Sequence, residues 1–312
     1  MKRKGNLYYK IYSMDNLILA EKKARRGKSK RKEVIKFNQN LEDNLFNIQQ
    51  ELINKEFTTS EYRHFKVNDG KERDVCSLPY RDRVVQWGIM NVLEPILYRY
   101  LTADTYSCVL GRGVHKMSYK LRDAMKGEWK YYLQIDIRKF YPSINNEILK
   151  SQLRRKFKDD DLLWLLDNII DSAMGLPLGN LTSQHLANFY LAGFDKFVKQ
   201  DLKAKYYFRY CDDMIILGNT KEELWDMFYK IKKYLGDELK LELSNYQVKP
   251  TWLGINVVGY KHYDTHVLLR PSIKKRFIRM MFKDRNAHSI ASYKGWILHS
   301  NGANLMRKYR VL

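Results

Sequence analysis

Tyr206-Tyr207-Phe208-Arg209-Tyr210-Cys211-Asp212-Asp213-Met214-Ile215-Ile216-Leu217, closed by Gly218, is the stretch that most restricts what this chain can fold into. Two short runs of aromatic and aliphatic residues predict two strands, and Asp is at home in the turn between them. The implied object is a hairpin with a buried body and a doubly negative tip. Adjacent like charges repel, so such a tip suits a fold in which a cation or basic partner neutralises it. A solvated acidic turn would carry the same residues, and the rest of the chain must separate the two readings.

A further acid ends another apolar strand. Tyr131-Tyr132-Leu133-Gln134-Ile135-Asp136-Ile137 predicts a strand, followed by Arg138-Lys139-Phe140-Tyr141-Pro142-Ser143-Ile144. Only the fold can bring Asp136 to Asp212 and Asp213, and an antiparallel sheet would align the two strand ends. Mg²⁺ prefers carboxylate oxygens together with substrate phosphates. Two such ions about 3.5–4 Å apart can activate an attacking hydroxyl and neutralise a leaving oxygen in phosphoryl transfer. Tyr141 follows in a turn pinned by Pro142, where it either packs or presses against a sugar and excludes a 2′-hydroxyl by volume.

The net charge of +22, from 57 Lys and Arg against 35 Asp and Glu, calls for a polyanionic partner. Nucleic acid comes first, because neutralised phosphates release counterions. An anionic membrane surface is the rival, but no apolar span reaches bilayer length and no signal-peptide core is present, so no membrane partner is expected. Residues 21–36 carry +7 and residues 265–312 carry +10 of that charge. The first reads as a solvated, partly mobile arm or a nucleic-acid contact. The second intersperses Phe282, Tyr293 and Trp296 among its cations, which suits nucleic-acid binding. Cys76, Cys108 and Cys211 are scattered and odd in number, giving no metal-ligand spacing or disulfide framework. They fit a reducing cytoplasm.

A length of 312 residues suits two domains or one multi-lobed enzyme. Residues 1–20 can hold a short helix, and Phe37, Leu41, Leu45, Ile48 and Leu52 predict one helix by their period. Asn68-Asp69-Gly70 signals a hairpin across 65–79, with Lys66 and Arg73 flanking its tip and Lys71 within it. These cations are either solvated or close on a triphosphate. A helix opens at Arg81-Asp82-Arg83 and should stop near Pro95. The glycine-bracketed loop Leu110-Gly111-Arg112-Gly113-Val114-His115 is too short for a phosphate-cradling motif; it is an ordinary turn or a close approach to a phosphate chain. Residues 159–171 predict an amphipathic helix. The loop 175–184 leads into another, with Thr182 or Ser183 as its cap. A helix over 222–235, a hairpin joining 253–260 to 266–270, and a boundary at Pro271 complete the reading.

Tyr210-Cys211-Asp212-Asp213 is similar to the YxDD box of reverse transcriptases, and further boxes of that family follow its order. They are the basic hairpin 66–73 with Asp82-Arg83-Val84-Val85-Gln86, the Asp136–Ile144 box, the 175–191 loop and helix, and Gly259-Tyr260. Leu178-Gly179-Asn180-Leu181-Thr182-Ser183-Gln184, with an apolar residue before the glycine and Ser-Gln at the end, resembles the reverse transcriptases of diversity-generating retroelements. Ser292-Tyr293-Lys294-Gly295-Trp296-Ile297-Leu298-His299 is similar to their thumb.

The resemblance implies an α+β right-hand polymerase with fingers, an antiparallel palm sheet and a short helical thumb. Residues 1–60 would be a basic extension and helix, 61–262 fingers and palm, and 263–312 a basic thumb. It implies RNA-directed DNA synthesis with two Mg²⁺ ions, catalysed by Asp136, Asp212 and Asp213, with Ile137 beside them in the metal set. Lys66, Arg73, Tyr141, Leu178 and Gly179 would bind the nucleotide. Arg112, Gly259, Tyr260, Lys274, Lys275 and Arg276 would bind nucleic acid. The expected partners are template RNA, cDNA, dNTPs and a small basic accessory protein, in a bacterial or phage-encoded cytoplasmic system. Membership of that family implies adenine-directed mutagenesis, and Leu178, which replaces a glutamine of the wider family that contacts the incoming nucleotide, implies low fidelity. Where relatives carry a lysine able to protonate pyrophosphate, this chain has Leu243-Ser244-Asn245-Tyr246-Gln247-Val248-Lys249, with Lys249 offset. The alternatives are a phage-defence or otherwise domesticated reverse transcriptase, and a non-catalytic RNA-binding scaffold.

Overall fold

Leu17, Ala20 and Ala24, and then Leu45, Ile48 and Leu52, recur at helical spacing and are all buried. They are the inner faces of the helices Met14–Arg25 and Leu41–Ile53. The computed structural model describes residues 3–68, 72–283 and 286–311. The chain forms two units, one from Met1–Thr102, Arg138–Phe194 and Leu235–Leu241, the other from Ala103–Ile137, Asp195–Tyr234 and Glu242–Leu312.

The first unit is mostly helical. Residues 1–20 hold two helices rather than one, Tyr8–Tyr12 and the start of Met14–Arg25. The basic run at 21–36 is not a free arm. Its first part continues the helix Met14–Arg25 and its last part enters Lys32–Gln39, because Ala24 and Val34 are drawn into the core. The single helix expected from Phe37 to Leu52 breaks at Asn40, whose φ of −127° and ψ of 54° leave the helical region. The Asn44 amide then donates to the Phe37 carbonyl at 2.9 Å, a side-chain bond that competes with the helical ladder.

The helix beginning at Tyr80 runs through Pro95 to Leu97 rather than stopping before it. Buried Leu93 and Leu97 bracket the proline, and packing of that face outweighs one lost backbone bond near a helix end. Strands β1 (Arg63–Asn68) and β2 (Glu72–Ser77) pair antiparallel. The expected turn residues Asp69, Gly70 and Lys71 lie outside the described residues.

The second unit is built on a four-stranded antiparallel sheet. Its strands are β3 (Tyr131–Ile137), β4 (Tyr207–Tyr210), β5 (Asp213–Gly218) and β6 (Leu243–Pro250), in the order β4-β5-β3-β6. The expected hairpin between 253–260 and 266–270 is instead a three-stranded sheet of β7 (Ile255–Val257), β8 (Tyr260–His262) and β9 (Val267–Leu269). Val258 and Gly259, with φ of 46° and 86°, make the two-residue turn that divides the first run. Both central residues of such a turn need positive φ. Pro271 opens the helix Pro271–Lys283, the first helical position at which proline loses nothing. Among the described residues no helix is long and apolar enough to cross a membrane.

Candidate active site

The register of the sheet places the acids. Asp136 on β3 stands directly opposite Asp213 on β5, and Tyr210 opposite Asp213 closes β4 and β5 around a two-residue turn, Cys211-Asp212. Directly opposed residues of an antiparallel pair are about 4.5–5.5 Å apart at Cα and share a face. The turn is tight because Cys211 takes a φ of 53°, in the left-handed region that few side-chain-bearing residues adopt. All three acids are half-buried.

On the other side of β3, Asp136 faces Asn245 of β6 while Ile137 faces Leu243. Ser244 is therefore an extra residue, a bulge of the kind that re-aims a side chain. Its hydroxyl donates to the Asp136 carboxylate and lies 3.2 Å from the Asp136 carbonyl. Nothing in the sequence singled Ser244 out. The Ile137 side chain is buried, which leaves its carbonyl as the group it could offer a cation. Lys249 lies opposite Tyr132, four positions along β6 from Asn245. At about 3.4 Å per residue that is about 14 Å from the acids' end of the strand.

Among the described residues no three His, Cys, Asp or Glu side chains close into a ready metal cluster. The donor chemistry nevertheless fits Mg²⁺. Two opposed carboxylates and a third in the adjoining turn offer hard oxygens, and like charges so placed favour a cation between them. Beside the turn, Ser107 Oγ lies 2.7 Å from Cys211 Sγ and 3.3 Å from Cys108 Sγ. The bond shared by the two thiols draws Cys108 down to about 6 and holds Cys211 protonated.

The nucleotide-binding candidates lie in the first unit. Lys66 and Arg73 are exposed on β1 and β2, and Lys66 pairs with Glu72 at 2.6 Å. A surface pair of this kind is worth about 0–1 kcal/mol and yields readily to a stronger anion. Tyr141 sits in the one-turn helix Phe140–Ser143 rather than in an open turn, and its carbonyl accepts from Leu176 N at 2.9 Å. Leu178 is half-buried, and its carbonyl accepts from Cys76 N of β2 at 2.7 Å.

The helix Leu181–Tyr190 is capped differently from expectation. Thr182 and Ser183 lie inside it, the N-cap is Asn180, and the Leu181 N–H donates instead to Gln86 Oε1 at 2.9 Å. The Asn180 amide is engaged elsewhere, with Tyr62 Oη at 2.9 Å.

Of the nucleic-acid candidates in the second unit, Arg112 donates to the Thr105 carbonyl at 2.8 Å and thereby closes its own loop. Tyr260 lies in the interior. It is fully buried and its hydroxyl donates to the Trp296 carbonyl at 3.2 Å. Gly259 is required there, since a Cβ would come 2.2 Å from the Trp296 ring. Lys274, Lys275 and Arg276 are exposed between the buried Ile273 and Phe277 on one helix.

Next to this packing lies His262, whose Nδ1–H donates to the Ile255 carbonyl at 3.2 Å, so that Nε2 accepts from Ser118 Oγ at 2.8 Å. Burial lowers it to about 4, helped by His299 and Arg122 and opposed by the bond to Ile255. His299, stacked on His115 with ring centroids 4.1 Å apart, is also lowered to about 4, chiefly by burial. An unfolded histidine titrates near 6.5, so between pH 6.5 and 4 the unfolded chain binds more protons than the folded one. Stability contributed by the neutral rings is full above pH 6.5 and is lost as pH falls toward 4. Urea midpoints measured from pH 7 to 4.5 should drop, and His262→Gln should flatten that drop while lowering stability at pH 7. An unchanged slope in the variant would refute the assignment.

Comparison with known proteins bears on the whole arrangement. The family model described as Reverse transcriptase (RNA-dependent DNA polymerase) matches residues 65–261. The chain is 29% identical over 238 residues to the Retron Ec73 reverse transcriptase of Escherichia coli, covering 68% of this chain and 73% of that protein. It is 22% identical over 218 residues to Protein YkfC of Escherichia coli strain K12, covering 65% of this chain and 51% of that protein. Among solved structures, telomerase from Candida albicans in complex with a fragment of telomeric RNA matches with a TM-score of 0.52 at 9% identity, covering 76% of this chain. The chain spans 55% of that telomerase chain, and the likeness is one of fold. The α+β right-hand polymerase class expected from the sequence, with its antiparallel sheet, is the fold observed.

Proposed function

We propose a specific reaction for a chain that belongs to the reverse transcriptase (RNA-dependent DNA polymerase) family: template-directed addition of dNTPs to a primer on RNA, with Asp136, Asp212 and Asp213 as the acids that serve it. The observation that carries this reading is the register that sets Asp136 opposite Asp213, with Asp212 in the adjoining turn. Mg²⁺ held by these carboxylates, with the Ile137 carbonyl beside them, would neutralise phosphate oxygens and lower the cost of ionising the attacking hydroxyl. Ser244 keeps the Asp136 carboxylate oriented. Lys66 and Arg73 bind the triphosphate by charge. Tyr141 excludes a 2′-hydroxyl by volume, and Gly179 lets the backbone approach the nucleotide. Arg112, the Gly259 turn and exposed Lys274, Lys275 and Arg276 hold primer and template. In functional terms residues 1–60 form a basic extension, 61–262 fingers and palm, and 263–312 the thumb. Incorporation of labelled dTTP on poly(rA)/oligo(dT) with Mg²⁺ tests the reading. RNA binding without incorporation would leave a scaffold instead.

The finer assignment is to the diversity-generating retroelement type, supported by Leu178 before Gly179 and by Ser183-Gln184. A small basic accessory protein and a bacterial or phage-encoded cytoplasmic setting belong to this reading. Leu178 has no donor or acceptor to read a base, so nucleotide selection is loose. Leu178→Gln should lower misincorporation by about 2- to 10-fold, the scale of one net hydrogen bond; an unchanged error rate in sequenced cDNA would refute that cause. A retron-type role is the second reading, favoured by the 29% identity to the Retron Ec73 enzyme. cDNA made on the neighbouring RNA, mutated at adenines alone, decides for the retroelement; faithful cDNA decides for the retron type.

A further inference from the structure

We propose that Arg209 is a positioning residue that sets the peptide plane from which Asp212 projects. This rests on the reading of Asp212 as a metal-holding acid. Arg209 lies on β4, three residues before Asp212, and is fully buried. Its guanidinium grips Asp195, also fully buried, by two parallel bonds, Nε to Oδ1 and Nη2 to Oδ2, both 2.7 Å. Asp195 accepts two more, from Tyr207 Oη and Thr105 Oγ1, each 2.8 Å. Four donors on one carboxylate leave the guanidinium plane no freedom to turn.

The remaining arm of the fork reaches the tip. Arg209 Nη1 donates to the Cys211 carbonyl at 3.1 Å. That carbonyl and the Asp212 N–H belong to one planar peptide, so holding the oxygen fixes the direction in which the chain leaves for Asp212. The restraint is needed there, because Cys211 has a φ of 53° that a side-chain-bearing residue does not favour. The base of the clamp is anchored as well. Arg209 N donates to the Asp104 carbonyl, and Tyr106 N donates to the Arg209 carbonyl, both at 2.9 Å.

Stability alone is a poor reason for this arrangement. Desolvating two charges offsets much of their attraction, and apolar residues of similar volume often do as well. An apolar pair could not hold a carbonyl at the turn. The geometry therefore assigns the buried pair to orientation of the acid, with the 104–108 segment as its frame.

Arg209→Lys keeps the charge and loses the fork. Compared below the Tm of both proteins, it should lower kcat for dNTP addition about 10- to 100-fold, the scale of a roughly 1 Å misplacement. KM for dNTP should stay within about twofold, and the Mg²⁺ concentration for half-maximal rate should rise. Ile231→Ala, in a buried position of the helix Lys221–Leu239, matches the loss of stability and should change neither quantity. An Arg209→Lys protein that loses Tm but keeps the wild-type kcat and Mg²⁺ dependence would overturn the proposal. If that variant does not fold, Thr105→Val, which removes one bond orienting Asp195, should give the same split of kcat from KM at smaller size; no split there would overturn it equally. A wild-type protein that incorporates nothing, or an Asp212→Asn variant as active as wild type, would sink the polymerase reading instead.

Discussion

Asp212→Asn is expected to lower primer extension by about 10³-fold or more while leaving Tm and affinity for RNA nearly unchanged. The acid occupies the second position of a two-residue turn, half-buried beside the register pair Asp136 and Asp213. Asn preserves the size and the turn preference but removes the charge a divalent cation would need. Asp213→Asn carries the complementary stability test. Like charges directly opposed on two strands destabilise by about 0.2–1 kcal/mol, so neutralising Asp213 should leave Tm unchanged or raise it by up to about 2 °C in chelator. The gain should vanish when Mg²⁺ is added to the wild type. Extension by Asp212→Asn at wild-type rate would end the case for these acids, and a large loss of Tm in either variant would make them structural.

Gly179→Ala is expected to cost about 3–5 kcal/mol, a fall in Tm of about 5–8 °C for a chain of this size. Gly179 has a φ of 120°, outside the reach of side-chain-bearing residues, and an added Cβ would lie 2.0 Å from the Cys76 carbonyl oxygen. That atom is backbone of β2, so no rotamer change relieves the clash. The strand would have to separate from the loop, breaking the bond from Cys76 N to the Leu178 carbonyl. The prediction is checked by urea or thermal unfolding. Gly27→Ala is the comparison, because Gly27 also has a positive φ, 71°, but nothing lies within 4 Å of an added Cβ. Equal losses in both would assign the effect to φ strain and remove the argument from close approach.

The hairpin around Asp212 was legible because its two strands are mostly buried and, Arg209 apart, aromatic or aliphatic on either side of a charged turn, so composition and structure coincide. Strand β3 was legible for the same reason. The neighbouring strand β6 was not. No residue of Leu243–Pro250 is fully buried, and an edge strand held by backbone bonds leaves no apolar alternation to read. Ser244 was hidden with it, since a bulge is a property of register rather than of residue type. The cap of the helix Leu181–Tyr190 was misplaced because its donor is satisfied by Gln86 from a distant helix. The break at Asn40 and the helix passing through Pro95 went against local signals in the two opposite directions, one to a side-chain hydrogen bond and one to core packing.

By itself, then, the sequence determined the acid-tipped hairpin, the strand that ends in Asp136, the order of the three acids along the chain, and the basic character that calls for nucleic acid. Those features depend on residue type and period, which are local. Tertiary structure alone decided that Asp136 faces Asp213, that Tyr260 is interior, and that Arg209 reaches the carbonyl of Cys211. The first is a register pairing between residues far apart in the chain, the second follows from what packs around the ring, and the third depends on Asp195, from another segment, aiming the guanidinium within a shared buried space; none is written in any one segment.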